Sequence, residues 1–415
     1  MSRLNWMFLI VMRYYRNLGL RVSFYALLSL LAALSGPSAQ RVMGLEAASR
    51  LGFDSVLPVL SILATSMLAV STFSLNIMVS AHRSAAAATT PRVQRILLDD
   101  TTTQSVLATF IGAFVFSLTS IVLYQARFYT EDTAIIVMAV TVVVVVLVVV
   151  SMLRWIHHLT DLGSVDNSVR AVHVKASESL AELAKFPTFG AAALTSSTVL
   201  PTKMAPLYAP QSGYIQLIDV ARLQECLPPQ GAIYISQRPG AYVLEGQIIA
   251  HISGQLSKGG QTRLSKAFTL GTQRTFEQDA LYGLVVMSEI ASKALSPGIN
   301  DAGTAIAAIH SLNGLLWDFT RVPQDASDLS APRVFMPCVD PQHLVDAAFA
   351  PIARDGAGVI EVATNLRQAL ARLATSRDEG INTAARVTAQ KAQDQTRHAG
   401  KLMEWELEKL SQIKV

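Results

Sequence analysis

The 415-residue chain is 51% hydrophobic and only 15% charged, too apolar for an ordinary soluble enzyme and matched in composition by membrane proteins. Its net charge of +4 comes from Lys and Arg spread through short connections and the last helix, with no consecutive basic block, so no nucleic-acid partner is expected. Cys226 and Cys338 lie far apart without CxxC spacing or a nearby His cluster, which excludes a zinc motif and leaves two free thiols in a reducing compartment.

Arg3, Arg13, Arg16 and Arg21 precede the first apolar stretch, and residues 35–40 offer no convincing small-x-small cleavage site. The stretch is therefore expected to be an uncleaved span and not a signal peptide. A span takes about 20 mainly apolar residues at a rise of about 1.5 Å each. Four segments meet that length: 18–35, 56–80, 106–124 and 133–156. The valine-rich run 142–150 would suit a strand in water, but a lone strand in lipid leaves its backbone groups unpaired, so a helix is assigned.

Lys and Arg set the orientation. The N-terminal arm holds four arginines, and the connection between the second and third spans holds Arg83, Arg92 and Arg95. The other two connections hold Arg41 and Arg50, and Arg127 alone, while Arg154, Arg170 and Lys175 follow the fourth span. This bias places both termini and the large C-terminal region in the cytoplasm.

In the second span Ser61, Thr65, Ala69, Thr72, Asn76 and Ser80 recur at steps of three or four, which puts them on one helical face. Such a face serves close helix packing, or, repeated around a homo-oligomer axis, lines a water-filled path. The third span carries a shorter run, Thr102, Ser105, Thr109 and Gly112. Pore-lining or helix-packing candidates are thus Ser61, Thr65, Thr72, Asn76, Ser80 and Thr109. No Asp, Glu, Lys or Arg lies near the middle of a span, which argues against a proton relay or an ion-coupled carrier.

Between these spans, Pro91 and the amphipathic turn 92–98, before Asp99 and Asp100, predict a short interfacial helix, and Asp100 with Thr101, Thr102 or Thr103 is placed to cap the third span. His157 and His158 are adjacent, so they project about 100° apart on a helix and do not form an i, i+4 metal pair.

The water-facing half divides into a helix and Thr/Ser/Pro-rich extended linker (166–210), a small β module (211–255), a helical domain (256–375) and a C-terminal helix (376–415), after a transmembrane domain over 1–165. Strands are expected at 213–220, 232–237 and 242–252. The phrases Ser212-Gly213-Tyr214-Ile215 and Arg238-Pro239-Gly240, continuing to Gly246-Gln247 and Ala250, resemble the barrel-sandwich hybrid of biotinyl and lipoyl carriers. Residues 215–245 contain no lysine to hold such a cofactor, so no cofactor is expected. A helix over 268–294 is predicted to stop at Ser296-Pro297-Gly298 and restart under an Asn300 or Asp301 cap, running 303–319. Arg274, Gln278, Asp279, Asn300 and Asp301 supply polar groups for this break, either as a salt-bridged corner or as a small-ligand site.

Several phrases along the chain occur together in order: Phe73-Ser74-Leu75, Pro91-Arg92, Phe110-Ile111-Gly112, Ile156-His157-His158, Val165-Asp166-Asn167, Arg238-Pro239-Gly240, Arg274-Thr275, Gln278-Asp279, and the run from Leu295 through Ser296-Pro297-Gly298-Ile299-Asn300-Asp301 to Ala305. In these the chain resembles the uncharacterised bacterial membrane proteins grouped as domain of unknown function 2254. Where that family usually has Pro-Phe after the Asp, this chain has Ala302-Gly303. The resemblance implies a bacterial inner-membrane location and four spans followed by a cytoplasmic domain, and it implies no activity.

The expected fold is a four-helix membrane part joined to a cytoplasmic α+β domain with a barrel-sandwich-like module. No nucleophile elbow, Walker loop, HExxH or paired-carboxylate spacing occurs, so no enzymatic activity, catalytic residue or metal site is expected. Two functions follow from the remaining features. One is a homo-oligomeric channel or conduit for an ion or small solute, embedded in the bilayer, with the cytoplasmic part regulating it. The other is a membrane-anchored scaffold or sensor whose Arg274 to Thr304 region binds a protein or small ligand.

Overall fold

A computed structural model of the chain describes residues 18–35, 53–98, 101–129, 133–159, 163–256, 259–323 and 329–415. Arg3, Arg13, Arg16, Arg41, Arg50, Asp99 and Asp100, used above for orientation and capping, lie outside the described residues. The chain forms two compact units, one built from residues up to 87 with 94–167, the other from 88–93 with 168–415.

The first unit is helical: α1 (Leu18–Leu34), α2 (Phe53–Ala88), α3 (Pro91–Leu98), α4 (Thr101–Gln125) and α5 (Thr133–Leu159). Among the described residues three segments are long and apolar enough to cross a membrane: Val56–Ala85, Thr102–Gln125 and Thr133–Leu159. Four were expected. The first apolar helix, α1, has 17 residues among those described, about 25 Å at 1.5 Å per residue, which is the short end of the range for a span. The valine run of the fourth expected span is helical throughout, as its backbone pairing in lipid requires. The amphipathic turn expected at 92–98 is helix α3, opened by Pro91.

Two apolar clusters hold this unit. Leu63, Met67 and Met78 of α2 meet Val106, Leu107 and Phe110 of α4 and Val148 and Trp155 of α5. Ala33, Val56, Leu60, Phe116, Ala134 and Val137 form the other. α1 lies along α4 at Gly112, where an added Cβ would sit 3.0 Å from Ser29 Oγ and 3.6 Å from Tyr25 Cβ.

The second unit is α+β. Its elements in chain order are α6 (Val165–Lys185), β1 (Ala191–Leu194), β2 (Ala205–Tyr208), β3 (Gly213–Ile218), α7 (Val220–Cys226), β4 (Ala232–Ile235), β5 (Tyr242–Val243), β6 (Ile248–Ser253), α8 (Gly260–Ser265) and β7 (Phe268–Gly271). There follow α9 (Ala280–Ala294), α10 (Ala302–Phe319), β8 (Ala331–Pro337), α11 (Pro341–Asp355), α12 (Ile360–Leu373), α13 (Glu379–Ala399) and α14 (Glu404–Ser411). A five-stranded sheet has the order β1-β8-β4-β6-β2, and a three-stranded sheet the order β5-β3-β7. The larger sheet is mixed, since β8 runs parallel to both β1 and β4 while β6 is antiparallel to β4 and β2. Ile215, Ile218, Leu223, Ile233, Ile249, Ile252 and Val334 pack in one core with both sheets.

The β elements therefore reach well beyond residues 211–255. The stretch expected as an extended linker supplies β1 and β2, and the first residues of the expected helix at 268 instead form β7, paired with β3 through Ile218 and Phe268. The helix itself begins at Ala280, where the Asp279 carboxylate accepts from the Tyr282 amide at 3.2 Å. The tail is two helices: α13 ends at Gly400, which adopts φ +61, and α14 follows.

Candidate functional site

Two groups of polar residues stand out. On α2, Ser61, Thr65, Thr72, Asn76 and Ser80 are all exposed, while Leu60, Leu63, Met67 and Met78 turn inward. At about 100° per residue the polar set occupies the middle of the helix's outer face. Apolar neighbours flank it, with Leu68 53% and Phe73 66% exposed. Thr65 donates its hydroxyl to the Ser61 carbonyl at 2.6 Å and Thr72 to the Leu68 carbonyl at 3.0 Å, so both protons are spent on the helix itself. The face therefore presents hydroxyl oxygens and the carboxamide of Asn76. Thr109 stands elsewhere. It donates to the Ser105 carbonyl at 2.9 Å, half-buried, on the side of α4 where Ser105 accepts from Arg21 and Gly112 admits α1.

The second group lies at the start of α9. Arg274 grips Asp279 with two bonds, Nε to Oδ2 at 2.7 Å and Nη2 to Oδ1 at 2.9 Å, and its guanidinium carbon lies 5.1 Å from the Tyr282 ring centre. The Asp279 side chain is 1% exposed. Burial pushes its carboxyl above the usual carboxylate range, and the Arg274 contacts oppose that push. Burial works to lower Arg274 as well, but its bonds to Asp279 outweigh that and hold the guanidinium charged. Gln278 accepts from the Ile218 amide at 2.8 Å and donates to the Ile218 carbonyl at 3.3 Å, which ties the approach to α9 onto β3.

Asn300 and Asp301 are not beside this pair. They lie past the other end of α9, whose 15 residues measure about 22 Å. The Asp301 amide donates to the Ala294 carbonyl at 2.8 Å, and the Asp301 carboxylate accepts from the Thr304 amide at 3.0 Å and from its hydroxyl at 2.5 Å. Those hydrogen bonds hold the Asp301 carboxyl below its ordinary range. Asn300 takes the left-handed conformation, φ +53, that the helix break needs.

Two partners of the Arg274 pair were not legible as such. Gly240, at φ +94, runs so close to Asp279 that an added Cβ would lie 2.4 Å from Oδ2. Arg238 donates to the carbonyls of Pro187 and Pro337 and lies against the Phe189 ring, and burial lowers it to about 10. The Arg-Pro-Gly phrase announced a turn, but nothing local in it signalled a buried cation. Among the described residues no group of three or more His, Cys, Asp or Glu is placed to hold a metal, and Cys226 and Cys338 are both free.

Long apolar helices in one unit, and a mixed and an antiparallel sheet together with helices in the other, define a membrane protein with a substantial α+β region. A family model described as predicted membrane protein, domain of unknown function 2254, matches residues 16–372, and the chain belongs to that family. An uncharacterised protein of Mycobacterium bovis and two of Mycobacterium tuberculosis are each 26% identical to it over 234 residues, covering 54% of this chain. The match takes in 44% of each relative's own length. No solved structure matches.

Proposed function

We propose that this protein is a nonenzymatic, homo-oligomeric conduit of the bacterial inner membrane, in which the outer face of α2 lines a path for an ion or small solute. In this reading α1 completes a four-span bundle with both termini in the cytoplasm. The α+β unit, its residues 211–255 taken as a barrel-sandwich-like scaffold, regulates the path. The observation that carries the reading is that, among the described residues, Ser61, Thr65, Thr72, Asn76 and Ser80 are all exposed, on the face of α2 opposite Leu63, Met67 and Met78, which pack on α4 and α5. Polar groups on the outside of an apolar span are unfavourable against hydrocarbon and are accommodated against water or another helix. Closed use of the Arg274, Gln278 and Asp279 groups within the fold gives the ligand-sensor reading no comparable support.

The test is flux through vesicles reconstituted with the full chain. Thr72→Leu and Asn76→Leu are expected to abolish ion or small-solute passage, while Ile77→Leu, a volume-conserving apolar change on the same helix but off the polar face, leaves it intact. Unchanged flux in the Thr72 and Asn76 variants refutes the conduit.

A further inference from the structure

On α5, Val143, Leu147, Val150, Arg154 and His157 recur at steps of four, three, four and three, and all five are exposed. At about 100° per residue they fall on one side of the helix, while the buried Val137, Thr141, Val148 and Trp155 fall on the other. On a helix long and apolar enough to cross a membrane, an outer apolar stripe of this kind meets lipid. Its last two members are basic.

Arg154 stands five residues before the end of α5 at Leu159, about 7 Å along the axis, beside the exposed Met152, Leu153 and Ile156. A guanidinium does not give up its charge, and among the described residues Arg154 has no ion pair or hydrogen-bond partner. The negative end of the helix dipole favours the charge there. Its aliphatic stem suits the apolar stripe, and its charged head suits the headgroup layer, where the matching anion is a phosphodiester gripped through two parallel bonds. His157 follows one turn later, and helical side chains lean toward the N-terminus, so it covers the turn that carries Arg154. The adjacent His158 is turned to the Trp155 ring, with centroids 6.2 Å apart.

We propose that this side of α5 binds an anionic phospholipid, its acyl chains on Val143, Leu147 and Val150 and its phosphate on Arg154 and His157. A zwitterionic headgroup brings its own ammonium beside the phosphate and gains less from the arginine. The inference stands apart from the α2 reading, because it uses another helix and needs no flux.

The full chain, purified in detergent and freed of lipid, is titrated with phosphatidylglycerol and with phosphatidylcholine, and bound lipid is counted by native mass spectrometry. Phosphatidylglycerol is expected to bind the more tightly. Arg154→Gln is expected to lower its first association constant about five-fold, the effect of about 1 kcal/mol for one cation at a lipid surface. Arg127→Gln, which removes an exposed arginine ahead of α5, is expected to leave that constant unchanged. An unchanged affinity in Arg154→Gln overturns the site, and so does an equal loss in Arg127→Gln, which makes the attraction one of net charge. Inorganic phosphate that displaces the lipid at equal concentration overturns a lipid occupant. A photoactivatable phosphatidylglycerol on the unaltered chain reads the site without any variant: cross-links are expected between residues 143 and 157, and their absence there overturns the proposal. A disulfide between copies carrying Leu147→Cys, with Cys226 and Cys338 replaced by serine, also overturns it, because the stripe then faces another copy.

Discussion

Asp279 and Asp301 each cap a helix with a carboxylate, yet their surroundings give the two caps different weight. Asp279 is buried under a bidentate Arg274, so Asp279→Ala strands a guanidinium that is only 22% exposed. Removing one member of such a pair costs about 3–5 kcal/mol, against about 1 kcal/mol for the loss of an exposed cap. Thermal unfolding is expected to separate Asp279→Ala from Asp301→Ala in that order, and equal losses would contradict the buried pair. Asp301 has a pH signature instead. Its folded pKa is depressed by Thr304, so its contribution is fully present above the ordinary value of 3.8 and is lost as pH falls through the lower folded value. Thr304→Val is expected to destabilise at neutral pH and to approach the parent protein as pH falls through the depressed folded value and the carboxyl protonates. Denaturant midpoints followed from neutral pH downward check this. The Asp301 cap was legible because Ser-Pro-Gly followed by Asn-Asp is local chemistry. The pairing of Arg274 with Asp279 was legible only as a cluster of polar residues, since its depth depends on Gly240, which comes from a distant turn.

Elements were legible in proportion to how local their causes are. The helices α2, α4 and α5 follow from long apolar runs, and α10 follows from its cap. The strand β7 did not, because Phe268-Thr269-Leu270-Gly271 is too short to carry a strand pattern of its own and only the ladder to β3 makes it one. The strands β1 and β8 pair in parallel across a long stretch of chain, and Ala191–Leu194 carries little intrinsic strand preference. The packing of α1 on α4 has a visible cause in Gly112 and yields a test. Gly112→Leu pushes against Ser29 and Tyr25, an overpacking that costs about 1–3 kcal/mol. Its unfolding midpoint in detergent is expected to fall, with part of the loss recovered by Ser29→Gly. A midpoint that does not move would mean that α1 and α4 do not meet there.

At the scale of the whole molecule, the outer face of α2 is where membrane physics presses hardest. Hydroxyls that bond to their own helix carbonyls tolerate hydrocarbon, as Thr65 and Thr72 do, but the exposed Asn76 carboxamide has two donors and an acceptor that a helix backbone does not readily absorb. Three environments give three different responses to Asn76→Leu. Against lipid, leucine is the better residue and the folded chain gains stability. Against water in a path, flux changes while assembly holds. Against the same face of another copy, self-association weakens by roughly 0.6–2 kcal/mol, the range for one polar contact between membrane helices, or about 3- to 30-fold in the association constant. In the proposed assembly the face meets both water and neighbouring copies. Asn76→Leu is therefore expected to lower energy transfer between labelled copies diluted in vesicles, together with flux. A more stable chain with undiminished energy transfer would put α2 against lipid and remove the basis for the conduit.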